Sequence, residues 1–394
     1  MTNVTHSILL KTTLLGALMG IASRVGADGS DWGKELGELK ARVHQLEEMK
    51  SLPQVSLHGI LVGNVQTEGV QESESDSKNV SRGVYVFQPE VSVRVSPQDE
   101  IFFKFGFAGG KGLGAVSSFR LAPWAGGGED DVIDINGRSR DYLLTSWYKH
   151  AVEWNAGRLE LTGGIIDATE YLDENAFAND EFSQFMNEAL VNGPHVFAPS
   201  YDVGGAIRAE KDIHSLSGVV MNVGENVEGN SYAFYGLQYG AKLKSGLGEG
   251  NYRLIFESTN KKFLNVDGDA LQSRHGIFLS CDQEFGRRMG GWVRLGVQDE
   301  AASVHCKNLY SGGVHLRGDL WGRSADHVGM GHALLSGGND GLKQSEVSEI
   351  YWHLGLNETV SFNFDVQHLR DTYDDGAGSR VQGWVSSLMM STGF

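Results

Sequence analysis

Three things are scarce in this sequence, and each scarcity excludes something. Only 6 of 394 residues are Pro and 2 are Cys, while 53 are Gly without a Gly-X-Y period, so neither a collagen-like rod nor a disulfide-stapled scaffold fits. Basic residues are outnumbered, 33 against 50 acidic, for a formal charge of −17, and a phosphate backbone would repel such a surface, so nucleic acid is not an expected partner. Long apolar runs are missing too. The longest, Thr12 to Ala22, matches a signal-peptide core and falls short of the ~18 residues that span a bilayer as a helix. It is followed by Val25-Gly26-Ala27, a small-x-small cleavage pattern, so residues 1–27 read as an export signal. Its removal takes Lys11 and Arg24, leaving the chain two charges more acidic. Motifs of hydrolases, zinc peptidases and nucleotide-binding loops are also lacking, so no enzyme activity and no cofactor are expected.

What the sequence does contain changes period at Pro53. In residues 28–53, Leu36, Leu39, Val43 and Leu46 form a two-heptad seam among charged residues, which predicts a short amphipathic helix, either associating with copies of itself or lying on the body of the protein. From Gln54 onward the period is two. Ile101, Phe103, Phe105 and Phe107 alternate with Phe102, Lys104 and Gly106; Val293, Leu295 and Val297 alternate with Arg294, Gly296 and Gln298; Val360, Phe362, Phe364 and Val366 alternate with Ser361, Asn363, Asp365 and Gln367. One face of each strand is apolar, whereas the other carries charges and amides at mid-strand, which suits a water-filled lumen and would compromise a sandwich core. Tight turns such as 95–100 alternate with long acidic, Gly-rich stretches such as 109–140. At about 20 residues per strand and connection, residues 54–394 predict an all-β transmembrane antiparallel barrel of 16 strands, with 14 or 18 as alternatives. A terminal Phe394 sharing parity with Trp384, Leu388 and Met390 closes the last strand.

Three stretches carry a family resemblance. Gly163 to Asn187 combines a strand ending in Gly-Ile-Ile-Asp with an acidic-aromatic turn and a Phe-x-x-Phe-Met-Asn segment; Gly322-Arg323-Ser324-Ala325-Asp326 leads to Gly329-Met330-Gly331; and Glu349 to Trp352 pairs with Phe364 to Gln367. In that order they resemble the carbohydrate-selective porins of the OprB family. The departures are Ile165 where Lys is common, and Arg370-Asp371-Thr372-Tyr373 where Asn-Pro-Gly is usual. The resemblance implies a barrel in the outer membrane of a Gram-negative bacterium, passing small sugars by passive diffusion, as a homotrimer or monomer in contact with outer-membrane lipid. Alternatives are a general or cation-preferring porin and a non-conducting structural or adhesive barrel.

The candidate constriction follows from what a sugar offers, hydroxyls and apolar C–H faces. Phe182, Phe185, Met186, Ala189 and Leu190 share one helical face with Asn179 or Asp180 as N-cap, predicting a loop helix that either packs inside the barrel or sits on its rim. Inside, it would direct Asp173, Asn175, Asn179 and Glu181 at the passage. Tyr171 and Trp124, with Trp147 and Tyr201, are the candidate stacking rings, and Arg120, Arg138, Arg140 and Arg158 the candidate donors. Asp173, Asn175, Asp180 and Glu181, or Asp267-Gly268-Asp269, lack the full oxygen spacing of a calcium loop, so no metal is expected. Cys281 and Cys306 are left either bonded or free.

Overall fold

A computed structural model describes residues 53–72, 79–110, 112–114, 116–126, 134–155, 157–193, 197–374 and 379–394. The expected export signal and the amphipathic helix of 28–53, apart from Pro53, lie outside the described residues.

The barrel strands are β1 (Gln54–Glu72), β2 (Val80–Arg94), β3 (Asp99–Phe105, continued by Phe107–Gly109), β4 (Leu143–Trp154), β5 (Gly157–Ile166), β6 (Asp202–Lys211), β7 (His214–Val223) and β8 (Tyr232–Ser245). They continue as β9 (Gly248–Thr259), β10 (His275–Phe285), β11 (Met289–Gln298), β12 (Cys306–Arg317), β13 (His327–Gly337), β14 (Leu342–Gly355), β15 (Val360–Tyr373) and β16 (Arg380–Gly393). Each pairs antiparallel with its sequence neighbour, and β16 returns to β1 in the register Ile60↔Gly393 to Glu72↔Gln382, which closes a barrel of sixteen strands. Closure leaves no unpaired edge, the condition for strands to exist in hydrocarbon.

The burial pattern is that of a globular protein turned inside out. Leu237, Leu254, Leu279, Leu295, Ile350, Phe364 and Leu388 are exposed, while Asn64, Gln66, Gln238, Glu257, Asp282, Arg294, Glu349, Asp365 and Gln367 are buried. Alternation along each strand explains it, since successive side chains face lipid and lumen in turn.

Connections differ between the two ends. At one end most strands are joined by two to four residues, as at Asp212-Ile213, where Asp212 adopts φ 54° to reverse the chain. The longest there, 318–326, is fastened by Arg323 on Asp326 at 2.7 Å. At the other end, two connections exceed thirty residues, 110–142 and 167–201, and their described residues 116–126 and 167–193 pack against the inner wall. Cys281 lies in β10 and Cys306 opens β12; with β11 between those strands, both are free thiols.

Candidate functional site

The inner wall is not uniform around the barrel. On β11 to β16 it is apolar at several levels, with Trp292, Leu309, Ala333, Leu335, Val347, Tyr351, Leu369 and Val385 buried together against Leu113, Phe119, Leu121, Phe177, Phe185 and Leu190 from the two long loops. A dry core therefore occupies that side of the lumen. Inner-face glycines permit this close approach. A Cβ at Gly290 would stand 2.2 Å from the Phe177 ring, and one at Gly331 would stand 2.8 Å from that of Phe185.

Polar side chains of the wall fix the loop 167–201. Arg294, with no exposed surface, lies 2.7 Å from Asp173 and donates to the carbonyls of Leu190 (2.9 Å) and Ala178 (2.5 Å). Both oxygens of Glu349 accept loop amides, from Met186 at 2.5 Å and Asn187 at 3.0 Å, while Asn187 Nδ2 donates to Gln367 Oε1 at 2.9 Å. Residues 116–126 are tied down alongside: Gln66 and Gln367 donate to Pro123 O, the Arg120 amide donates to Asp371, and Ser117 and Ser118 donate to Glu68.

These bonds correct the expected loop helix. Asp180 does cap a turn, accepting from Phe182 N at 2.9 Å and Ser183 N at 3.3 Å, and Gln184 N donates to Asp180 O. The helix goes no further because the amides of Met186 and Asn187, which would have donated to the carbonyls of Phe182 and Ser183, are taken by Glu349. Of the five apolar residues expected on one helical face, Phe185, Met186, Ala189 and Leu190 are buried and Phe182 is half-buried at the edge of the larger cavity, along an irregular chain whose amides find partners on the wall, on loop residue Ala122 and on Asn187.

The space left open runs along β2 to β9. A cavity of about 810 Å³ lies between β2, β3 and the loop, lined by Gln88, Lys104, Leu144, Asn179, Asn192, Tyr201 and a set of carboxylates. Those are Asp134, Asp167, Glu170, Glu174, Asp180 and Glu181, facing Lys104 as the single cationic side chain among the described lining residues. Burial, with Asp167 next to it, pushes Glu170 up to about 7; burial likewise pushes Glu181 up to about 7 and raises Asp167. A second cavity of about 370 Å³ opens toward the short-turn end, between β6, β7, β8 and β9. Glu174 lines both. Its carboxylate is held by Arg208 of β6 at 2.5 Å, and the Arg208 guanidinium lies 5.9 Å from the centre of the Tyr171 ring.

The residues expected at the constriction are dispersed among several roles. Asn179 and Glu181 line the larger cavity, and half-buried Tyr171 flanks Arg208. Asp173 and Asn175 are both 3% exposed and fasten the loop instead: Asp173 sits on Arg294, and Asn175 Nδ2 donates to Ser280 Oγ and Cys281 O. Trp124 is buried among Val62, Val84, Val86 and Met186, donating its ring N–H to Glu181 O at 3.1 Å. Arg138 and Arg140 hold Asp202 at the long-loop end, at 3.2 and 2.7 Å. Arg120 contacts His305 and Asp340 at that same end, and Arg158 pairs with Glu153 and Glu160 near the short turns. Lys104, Glu174, Arg208 and Arg253, which do meet the cavities, were not singled out from the sequence. Their signal is a charge at inward parity in mid-strand, as in Lys104, Arg208 and Arg253, or next to the acidic-aromatic turn, as in Glu174.

Among solved structures, the chain is similar to OprB of Pseudomonas putida at high pH, with a TM-score of 0.67 and 16% identity over 92% of this chain and 97% of that one. It is similar also to OccK11 (OpdR) of Pseudomonas aeruginosa (TM-score 0.50, 8% identity, 86% and 96% covered) and to a variant of the Rh. blastica porin (0.50, 10%, 86% and 100%). The fold is therefore that of porins. An uncharacterised protein of Aquifex aeolicus (strain VF5) is 28% identical over 65% of this chain and 73% of its own length. No family model matches the sequence.

Proposed function

We propose that the chain is an outer-membrane porin through which small sugars and similar polar solutes diffuse passively. Solutes enter the 810 Å³ cavity from the long-loop side, pass the Glu174–Arg208 pair and leave through the 370 Å³ cavity into the periplasm. The observation that carries this reading is the meeting of the two cavities at one residue, Glu174, on a loop fastened to the opposite wall. A passage lined by acceptors, donors and amides, with the Tyr171 ring beside Arg208, suits a hydroxyl-rich neutral solute. Export directed by residues 1–27 and residence in the outer membrane of a Gram-negative bacterium, as a trimer or a monomer, belong to the same proposal.

One observation favours a second reading. Six carboxylates against one lysine in the larger cavity would concentrate cations, so cation preference accompanies sugar passage or replaces it. Planar-bilayer recording distinguishes the two. Partial block of the ion current by a neutral hexose supports sugar passage; a cation-favouring reversal potential with no block by any sugar supports a general cation pore and overturns it.

A further inference from the structure

The outer surface of the barrel differs from one side to the other. On β8 to β11 it is an unbroken apolar belt, with Tyr239, Leu254, Leu279 and Leu295 on one row of the register and Leu237, Phe256, Ile277 and Val297 on the next, all exposed. On β13 to β16 the outer face turns polar. One row there is His332↔Ser348↔His368↔Trp384, and the next toward the long loops is Leu334↔Glu346↔Arg370↔Gln382. These residues alternate with buried Ala333, Val347, Leu369 and Val385, so they face away from the lumen. They also bond to one another: His332 Nδ1 lies 2.9 Å from Ser348 Oγ, Gln344 donates to Glu346, and Arg370 donates to Glu346 and to Gln382, each at 3.3 Å. The row Val366↔Ser386↔Thr67↔Ser81 carries the polar face on to β1 and β2, where the Thr67 and Ser81 hydroxyls are 2.9 Å apart.

The first polar row is set deep. A single apolar pair, Ile350 and Val366, separates it from the aromatic pair Trp352 and Phe364 at the short-turn end, whereas a strand takes roughly 9–11 residues to cross hydrocarbon. The row therefore falls within the apolar band, where lipid-facing charge is destabilising and polar side chains serve to join one protein surface to another. Charge identifies the surface that fits. The patch holds one acid, Glu346, and one base, Arg370, so an anionic lipid head group gains little from it, while a second copy of the chain offers a Glu346 to Arg370 and an Arg370 to Glu346. A guanidinium has five N–H groups, which leaves Arg370 with donors to spare. The sequence leads to the same occupant by a separate route. The heptad seam of Leu36, Leu39, Val43 and Leu46 runs up to Pro53, and Gln54 opens β1, the strand that follows β16 around the barrel. Two heptads are too short to associate alone, so such a seam is of use where copies already stand side by side.

We propose that the outer face of β13 to β1 is a contact between copies of this chain within the membrane, with His332, Ser348, Glu346 and Arg370 at its centre. The proposal rests on the outer-membrane porin reading and adds to it the face by which barrels meet. The first test uses the full-length chain in outer membranes with a short bis-maleimide crosslinker. The wild type is its own control, because Cys281 lies in the apolar sector, paired with Tyr252 and Val293. Ser348→Cys combined with Cys281→Ser should give a crosslinked dimer on a denaturing gel, and the wild type should give none. The second test is mass by light scattering in mild detergent. The wild type should be oligomeric, and the combined variant His332→Leu, Ser348→Val, Glu346→Leu and Arg370→Leu, whose outer face is apolar throughout, should dissociate with a constant raised at least ~10-fold. Heat-modifiable mobility shows that this variant folds. A wild type that is monomeric by both tests, with or without retained lipopolysaccharide, would overturn the proposal, as would oligomers that crosslink through Cys281 or survive unweakened in the apolar variant. Conductance is read separately: a conducting monomer overturns the contact alone, and an oligomer that does not conduct overturns the porin reading alone.

Discussion

Replacement of Arg294 by Met removes the single side chain on which three parts of the lumen loop converge: the Asp173 carboxylate and the carbonyls of Ala178 and Leu190. Removing one member of a buried pair costs about 3–5 kcal/mol, because the remaining charge has neither water nor partner. The two carbonyl bonds belong to the same contact and are not added to this figure. Taking ~4 kcal/mol, the ratio of docked to undocked loop falls by about a thousandfold. The strand ladders are untouched, so the barrel should survive while the loop detaches. Single-channel recording of Arg294→Met should show a larger and noisier conductance, and limited proteolysis should find new cleavage within 167–201. Heat-modifiable mobility should remain. Because the cost lies in an uncompensated charge, Arg294→Met combined with Asp173→Leu should recover most of the wild-type conductance and protease resistance, as buried pairs replaced by apolar groups often do. Wild-type noise and resistance in the single variant would refute the reasoning. A double variant no better than the single one would refute its electrostatic basis.

Two further outcomes are expected. Glu170 and Glu181, raised to about 7 by burial, are neutral below that pH and charged above it, so cation-over-anion permeability should rise between about pH 6 and 8. Reversal potentials in a KCl gradient measure this, and Glu170→Gln with Glu181→Gln should flatten the curve. At the barrel seam, Phe394 N donates to Gly59 O at 3.1 Å and its ring lies 6.1 Å from that of Phe87, while a Cβ at Gly59 would stand 2.5 Å from the Phe394 ring. Gly59→Val, or deletion of Phe394, should therefore lower the fraction of heat-modifiable folded barrel in outer membranes; an undiminished fraction would count against a closing role for this contact.

Much of the barrel was legible because parity is a local signal. Val293, Leu295 and Val297 against Arg294 and Gln298 already separate lipid from lumen within six residues, and strand length and turn spacing lead to sixteen. The loop's apolar content was legible in the same way: Phe182, Phe185, Met186 and Leu190 need a dry surface. Which polar residue fastens and which lines the cavity was not legible, since that depends on partners far along the chain. Asp173 and Glu174 are adjacent and both acidic, yet one meets Arg294 and the other Arg208. Their fates are decided by where β11 and β6 stand on the barrel circumference. Distance hid the helix correction as well, because Glu349 lies more than 160 residues from the Met186 and Asn187 amides that it accepts. The burial of Leu113, Phe119, Leu121 and Trp124 has a local signal too, since these four apolar residues stand in a stretch otherwise rich in Gly and acid.

The central claim is the proposed path, in which solutes pass from one cavity to the other at Glu174 and Arg208. Substituted-cysteine modification tests it most directly, given that Cys306 is buried and Cys281 is partly covered in the barrel wall. In single channels, a bulky thiol reagent should sharply reduce the current of Glu174→Cys while leaving that of Arg120→Cys and of the wild type nearly unchanged. Full current through modified Glu174→Cys, in channels where labelling is confirmed by mass, would place the passage elsewhere in the barrel and contradict the account.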